Sequence, residues 1–227
     1  MTLPLAVLAS GSGSNLESIA QRIEQGVLDA RINLVLSNRP GTRGVERAEG
    51  RGLPVRVEDH KAYPDRQSHE RAVIAAIREH EAEAVVLAGY MRLVSREFVQ
   101  AFSGNVLNIH PSLLPGFRGA HAQRDAAEYG VRISGASVHF VDEHMDHGPV
   151  IIQAAVPAVP EDDGESLAGR ILALEHRIYP QAVQWLAQGR LRVRQGRVYL
   201  DDAPQPVAEE TPGGPCLISP GLERGFD

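Results

Sequence analysis

Short apolar runs that alternate with helix-patterned stretches constrain this chain more than any other feature. Residues 5–9, 32–36, 84–88 and 106–109 are apolar or nearly so, without the every-second-residue alternation of a half-exposed strand. Such runs fit strands covered on both faces, as in parallel sheets flanked by helices. Between them, 15–24 and 67–80 read as helices; in the latter Ala72, Ile74, Ala75, Ala76 and Ile77 cluster at near-helical spacing. Residues 54–57 read as a further short strand. The alternation predicts an α/β fold with a doubly wound, mostly parallel sheet.

The texture changes after residue 110. Pro111, Pro115, Gly116 and Gly119 mark a long structured loop. Residues 136–141 and 149–155 then read as strands with no clear helix between them, so a partly antiparallel C-terminal section is expected. A long helix follows over 165–188. Asp162 and Glu165 have capping-box spacing before it, and Pro180 should end or kink it. The run 190–200, RLRVRQGRVYL, alternates around Gln195-Gly196 and predicts a hairpin.

Length suits one large α/β domain or two small ones, and a single domain over 1–200 of the 227 residues is expected. The remaining 27 residues hold five prolines, four glycines, six acidic residues and one arginine. They are expected to form a flexible acidic extension whose removal leaves activity near normal.

Composition excludes several classes of function. A single cysteine, Cys216, allows no intrachain disulfide and no multi-cysteine metal site. It lies in the expected tail, so a catalytic thiol is not expected. Lys61 is the only lysine; the other 22 of the 23 basic residues are arginine. No Walker-type P-loop exists, and a Schiff base would have to use Lys61 in a polar stretch. The net charge of −6 argues against nucleic acid or an anionic membrane as partner. No run approaches a membrane span, and the apolar start lacks the basic region of a signal peptide. Cytoplasmic location is the expectation.

Four segments have the residue types for chemistry. Gly11-Ser12-Gly13-Ser14-Asn15 follows the first strand and opens a helix, where free N–H groups and the helix dipole favour an anion. A dinucleotide site would want a third glycine where Leu16 stands, so a phosphate monoester fits better. A plain turn, with Ser14 or Asn15 capping the helix, is the alternative. Asn108-Ile109-His110-Pro111 follows a buried strand, and side chains two apart on a strand share one side. An amide beside an imidazole can polarise a carbonyl and stabilise an oxyanion; a core histidine next to a turn is the alternative. Between Asp142 and Pro149, a carboxylate could orient His110, or Asp142, His144, Asp146 and His147 could ligate a metal, although no recognised metal spacing is present. Glu175-His176 lies within the long helix, where a solvated face is the plain reading.

With these segments in view, the sequence resembles the phosphoribosylglycinamide formyltransferases. The likeness rests on GSGSN at 11–15, AGYMRLVS at 88–95, NIHPSLLP at 108–115, SVHFVDEHMDHGPVI at 137–151 and LEHRIYP at 174–180, in order along about residues 4–200. It implies a formyltransferase-like, Rossmann-type fold. It also implies transfer of a formyl group from 10-formyltetrahydrofolate, a co-substrate, to the amine of glycinamide ribonucleotide. Gly13, Ser14, Asn15 and Glu175 would hold the ribonucleotide. Asn108 and His110 would stabilise the oxyanion, with Asp146 tuning His110. Met91, Arg92, Leu93, Val94, Asn108, Asp142, Glu143, His144 and Asp146 would line the folate site, and Arg66 would meet the folate glutamate tail. No metal is implied, and the partners are small-molecule substrates for a monomer or homodimer.

One departure is local: Arg118-Gly119-Ala120-His121 replaces a Pro-Gly form of the loop, and Gln123 a histidine. Two cousins are disfavoured. A tRNA formylase is expected to carry an RNA-binding domain, where this chain has an acidic tail. A formyltetrahydrofolate hydrolase is expected to carry a regulatory domain before a strand that here begins by Leu5. A non-catalytic metabolite-binding module would keep the pocket and lose a catalytic residue, yet Asn108, His110 and Asp146 are all present.

Overall fold

A computed structural model describes residues 2–226. The chain divides into two units, Met1–Asn108 with Val141–Glu143, and Ile109–Phe140 with His144–Asp227. The division falls inside one strand, Val106–His110.

The first unit holds the parallel strands β1 (Leu3–Ala9), β2 (Ala30–Ser37), β3 (Val55–Val57), β4 (Ala84–Leu87) and the start of β5 (Val106–His110). Their order is β3-β2-β1-β4-β5. The chain thus winds outward from β1 and returns to β4 on the other side, leaving a switch point at the carboxyl ends of β1 and β4. Helices α1 (Ser14–Glu24), α2 (Arg43–Gly50), α3 (Arg66–Glu79) and α4 (Arg96–Ala101) make the crossovers. Successive residues of β1 point to opposite faces, yet Leu5, Ala6, Val7 and Leu8 are all fully buried. Ala6 and Leu8 join Leu34, Val73, Ile77, Val85 and Phe98 in one apolar cluster that takes in α3 and α4.

The second unit is built on antiparallel strands β6 (Ile133–Phe140) and β7 (Val150–Pro157), with α5 (Ala122–Tyr129) and α6 (Gly164–Ala187). Strands β8 (Leu191–Arg194) and β9 (Arg197–Leu200) form the expected hairpin. Its turn residues Gln195 and Gly196 both have positive φ, 49° and 71°, as a tight hairpin with right-handed strand twist requires.

Residues 201–226 are not a flexible extension. They contain β10 (Val207–Thr211) and β11 (Gly214–Ser219), and β11 pairs antiparallel with β7 through Leu217–Ala155, Ile218–Ala154 and Ser219–Gln153. Ile218 is fully buried and Phe226 is 2% exposed. The segment also grips α6. Glu223 accepts from Trp185 Nε1 at 3.1 Å and pairs with Arg190 at 2.6 Å, while its N–H donates to Gln181 Oε1 at 2.8 Å. High proline and glycine content here serves an edge hairpin rather than disorder.

Helix α6 begins one residue later than the capping-box spacing suggested. Asp163 is the cap, accepting from the backbone N–H of Glu165 and Ser166, and Ser166 Oγ in turn accepts from Asp163 N. The helix also runs through Pro180 to Ala187, so the proline does not end it. Asp162 instead accepts from Val159 N at 2.7 Å and pairs with Arg170. The hydrogen bond from Arg170 holds the Asp162 carboxyl down to about 2, below its usual 3.8. A depressed folded-state value adds stability above the unfolded value, which is lost as pH falls through the folded one. Asp162→Asn is therefore expected to lower stability at neutral pH by roughly 1–2 kcal/mol. The gap to the parent should close as pH drops from about 4 towards 2, which urea melts across that range would show. A gap independent of pH would remove the ion pair from the explanation.

Candidate active site

The first unit contributes the glycine turn before α1. Gly13 precedes α1 at φ 70° and no side chain caps the helix, so the alternative of a Ser14 or Asn15 cap does not hold. The turn is closed from below by a glycine that sequence reading missed. Gly44 N donates to Gly11 O at 2.9 Å, and a Cβ on Gly13 would lie 2.5 Å from Gly44 Cα. Both the left-handed φ and this approach require glycine. Gly13→Ala is expected to cost ~1–3 kcal/mol and to displace the first-turn N–H groups. Lowered thermal stability together with weakened ribonucleotide binding in a titration would bear this out; parent-like binding would not.

Beyond β4, the same unit has a hollow lined by Arg66, His69, Glu70, Val73, Tyr90, Arg92, Leu93, Val94 and Phe98. Four expected folate residues, Arg66, Arg92, Leu93 and Val94, thus line one hollow. Met91 does not line it and is 59% exposed. His69, Glu70 and Tyr90 were not anticipated. Glu70 accepts from Ser95 N at 2.8 Å and from its hydroxyl, fixing the start of α4. His69 Nε2 donates to Glu58 O at 2.9 Å; burial lowers the pKa of its ring and raises that of the Tyr90 phenol. The nearest sequence signal was Asp65, which caps α3 by accepting from Ser68 N at 2.7 Å. Asp142 and Glu143 belong to this unit, and Glu143 lies 3.9 Å from Arg96. Asn108, half-buried on β5, is the last residue before the division.

The second unit holds His110 and Asp146. His110, 4% exposed, ends β5. Its Nε2 lies 2.8 Å from Phe117 O and its Nδ1 3.5 Å from Asp146 Oδ2. A carbonyl only accepts, so Nε2 carries a proton, and a protonated ring would donate at both nitrogens. Phe117 supplies that carbonyl from an unusual backbone, φ 49°, which for a bulky residue stores about 1–3 kcal/mol of strain. Asp146 also has positive φ, 48°, and accepts from Gly119 N at 2.8 Å. Its other oxygen is 4.0 Å from His139 Nε2, and His139 is 2% exposed. His139 lay hidden in an apolar strand, where its neighbours gave no polar signal. The loop after His110 is braced from β6 and β7: Ser137 Oγ donates to Ser112 O at 2.7 Å and accepts from Leu114 N, and Gln153 Nε2 donates to Leu114 O at 3.1 Å.

Among the other expected positions, His144 is exposed with its ring edge-on to His147 at 5.2 Å. Glu175 is 6% exposed on α6, so the plain reading of a solvated helix face fails there. His121 is exposed at the start of α5, without a side-chain cap.

Known proteins carry the same organisation. The formyl transferase family profile matches residues 3–183. The chain is 39% identical over 197 residues to phosphoribosylglycinamide formyltransferase of Escherichia coli, covering 87% of this chain and 93% of that one. It is 44% identical over 189 residues to the trifunctional purine biosynthetic protein adenosine-3 of Gallus gallus. The chain spans only 14–19% of the length of such animal trifunctional relatives. Glycinamide ribonucleotide transformylase 1 from Symbiobacterium toebii superposes with a TM-score of 0.86 at 44% identity, over 88% of this chain and 94% of that one. Sharing the family profile over most of its length, and near-complete coverage of a relative at this identity, the chain belongs to the phosphoribosylglycinamide formyltransferases of the formyl transferase family.

Proposed function

We propose that this protein transfers the formyl group of 10-formyltetrahydrofolate to the amine of glycinamide ribonucleotide, giving the formylated amide and tetrahydrofolate. The observation that carries this reading is a buried His110, in NIHPSLLP at the end of β5, held between the Phe117 carbonyl and the Asp146 carboxylate. Attack by the amine nitrogen on the formyl carbon forms a C–N bond and pushes the carbonyl π pair onto oxygen. An ammonium and an oxyanion appear together, so the site must stabilise one charge and move a proton off the other.

Asn108 donates to the oxyanion from the side of β5 it shares with His110. The His110 ring, when protonated, adds positive charge, and Asp146 balances it. With the ring shifted off Phe117 O, Nε2 gives its proton to the departing folate nitrogen and then, as the free base, takes the ammonium proton. Collapse of the intermediate breaks the bond to the folate nitrogen, which leaves with a proton. Gly13, Ser14 and Asn15 hold the ribonucleotide phosphate, and Glu175 meets its ribose or glycinamide end. The hollow beside Arg92 and Val94 takes part of the folate, Arg66 meets its glutamate tail, and Met91, Asp142, Glu143 and His144 are further folate-contacting residues in this reading. Side chains carry every step, so no metal is assigned a role. In this reading the partners are small molecules in the cytoplasm, and neither nucleic acid nor a membrane takes part.

The test is spectrophotometric release of the folate product from a 10-formyl folate, with and without glycinamide ribonucleotide. Turnover that depends on the ribonucleotide is expected. Turnover without it would identify a hydrolase and overturn the proposal.

A further inference from the structure

Ser10 is the residue between β1 and the glycine turn, and no role has yet fallen to it. It is 4% exposed. Its backbone N–H donates to Gly89 O at 3.1 Å, continuing the β1–β4 pairing just beyond both strands. The parallel ladder ends there, because Gly89 turns away at φ 72°. Ser10 Oγ takes over and accepts from Met91 N at 2.8 Å. The hydroxyl proton is donated to Asn38 Oδ1, and Asn38 is 1% exposed at the carboxyl end of β2. Asn38 is itself held, since its carbonyl accepts from His60 Nδ1 at 2.8 Å. A hydroxyl that must donate to Asn38 keeps a lone pair aimed at Met91 N–H, so the geometry is fixed at both ends.

The next residues after Met91 are Arg92, Leu93 and Val94, which line the hollow described above. The residue after Ser10 is Gly11, which opens the phosphate turn. One buried hydroxyl therefore sits at the switch point and ties the start of one substrate loop to the start of the other.

We propose that Ser10 is a positioning residue, which through Asn38 fixes the 90–94 segment for folate without touching either substrate. This rests on the reading of 90–94 as folate-binding. Deleting the hydroxyl leaves the Met91 N–H without its acceptor and lets the segment sample other conformations, which weakens binding in proportion to the competent fraction.

The experiment measures full-length Ser10→Ala and Ser10→Thr beside the parent. Steady-state kinetics with 10-formyltetrahydrofolate are paired with hydrogen exchange at the Met91 amide. Ser10→Ala is expected to raise KM for the folate about tenfold, with little change in kcat. Its Met91 amide should exchange at least about tenfold faster. Ser10→Thr, which keeps the hydroxyl, should restore both. Parent-like KM and exchange in Ser10→Ala overturn the proposal, as does a fall in kcat and melting temperature with KM unmoved. If Ser10→Ala does not fold, Asn38→Ala removes the orienting acceptor and is expected to move the same two quantities in the same direction; unmoved values overturn the proposal. A parent enzyme without ribonucleotide-dependent turnover would defeat the functional reading alone. Tetrahydrofolate titration and Met91 exchange would then still decide the role of Ser10.

Discussion

Removing residues 201–227 is expected to leave no soluble, folded protein. The cut strips β11 from β7 and removes Ile218 and Phe226, both essentially buried. Apolar side chains of that size contribute about 2–3 kcal/mol each when buried. It also takes the acceptor from Trp185 Nε1 and the donor from Gln181 Oε1 inside the unit. Together these losses come to roughly 5 kcal/mol or more, comparable with the whole stability of a small domain. The uncovered edge of β7 would then pair with other chains. Expression of the truncated chain and its recovery in the soluble fraction read this directly. A milder variant, Ile218→Ala, should lower stability by about 3 kcal/mol while the site keeps its activity. A soluble truncated chain with the parent's melting temperature would show that β10 and β11 contribute little.

The second large effect is on turnover. Asp146→Asn should reduce kcat by about 10³-fold, within the range for a group that handles protons in the transition state. Ribonucleotide binding should stay nearly unchanged. Asparagine tolerates the left-handed backbone of Asp146, φ 48°, and its amide oxygen can still accept from Gly119 N. The substitution therefore keeps the loop and removes the charge that faces His110 Nδ1 at 3.5 Å and His139 Nε2 at 4.0 Å. Steady-state kinetics and calorimetric titration of the ribonucleotide separate the two effects. A kcat close to the parent would take Asp146 out of the mechanism.

Sequence reading found the central strands because their burial on both faces leaves unbroken apolar runs. Ala84–Leu87 is fully buried and was the clearest of them. It missed α2, α4 and α5, which have six to eight residues and bury only one or two side chains each. It misread β10 and β11 for a different reason. Val207–Thr211 alternates half-buried and exposed positions and Gly214–Ser219 alternates covered and exposed ones, but prolines and acidic residues around them imitate a disordered tail. At the site, the glycine turn and NIHP were visible because glycines and polar residues interrupt apolar strands. Gly44, Phe117 O, His139 and Ser10 were not. Each acts through a backbone atom, a close approach or a buried polar contact that forms only when distant segments meet.

The most direct measurement follows the formyl carbon itself. The protein would be incubated with 10-formyltetrahydrofolate labelled in that carbon, together with glycinamide ribonucleotide, and the products separated. Label recovered on the amine of the ribonucleotide, equal to the tetrahydrofolate released, is the expected result. Label recovered as formate, with the ribonucleotide unmodified, would contradict the assignment of this site to formyl transfer.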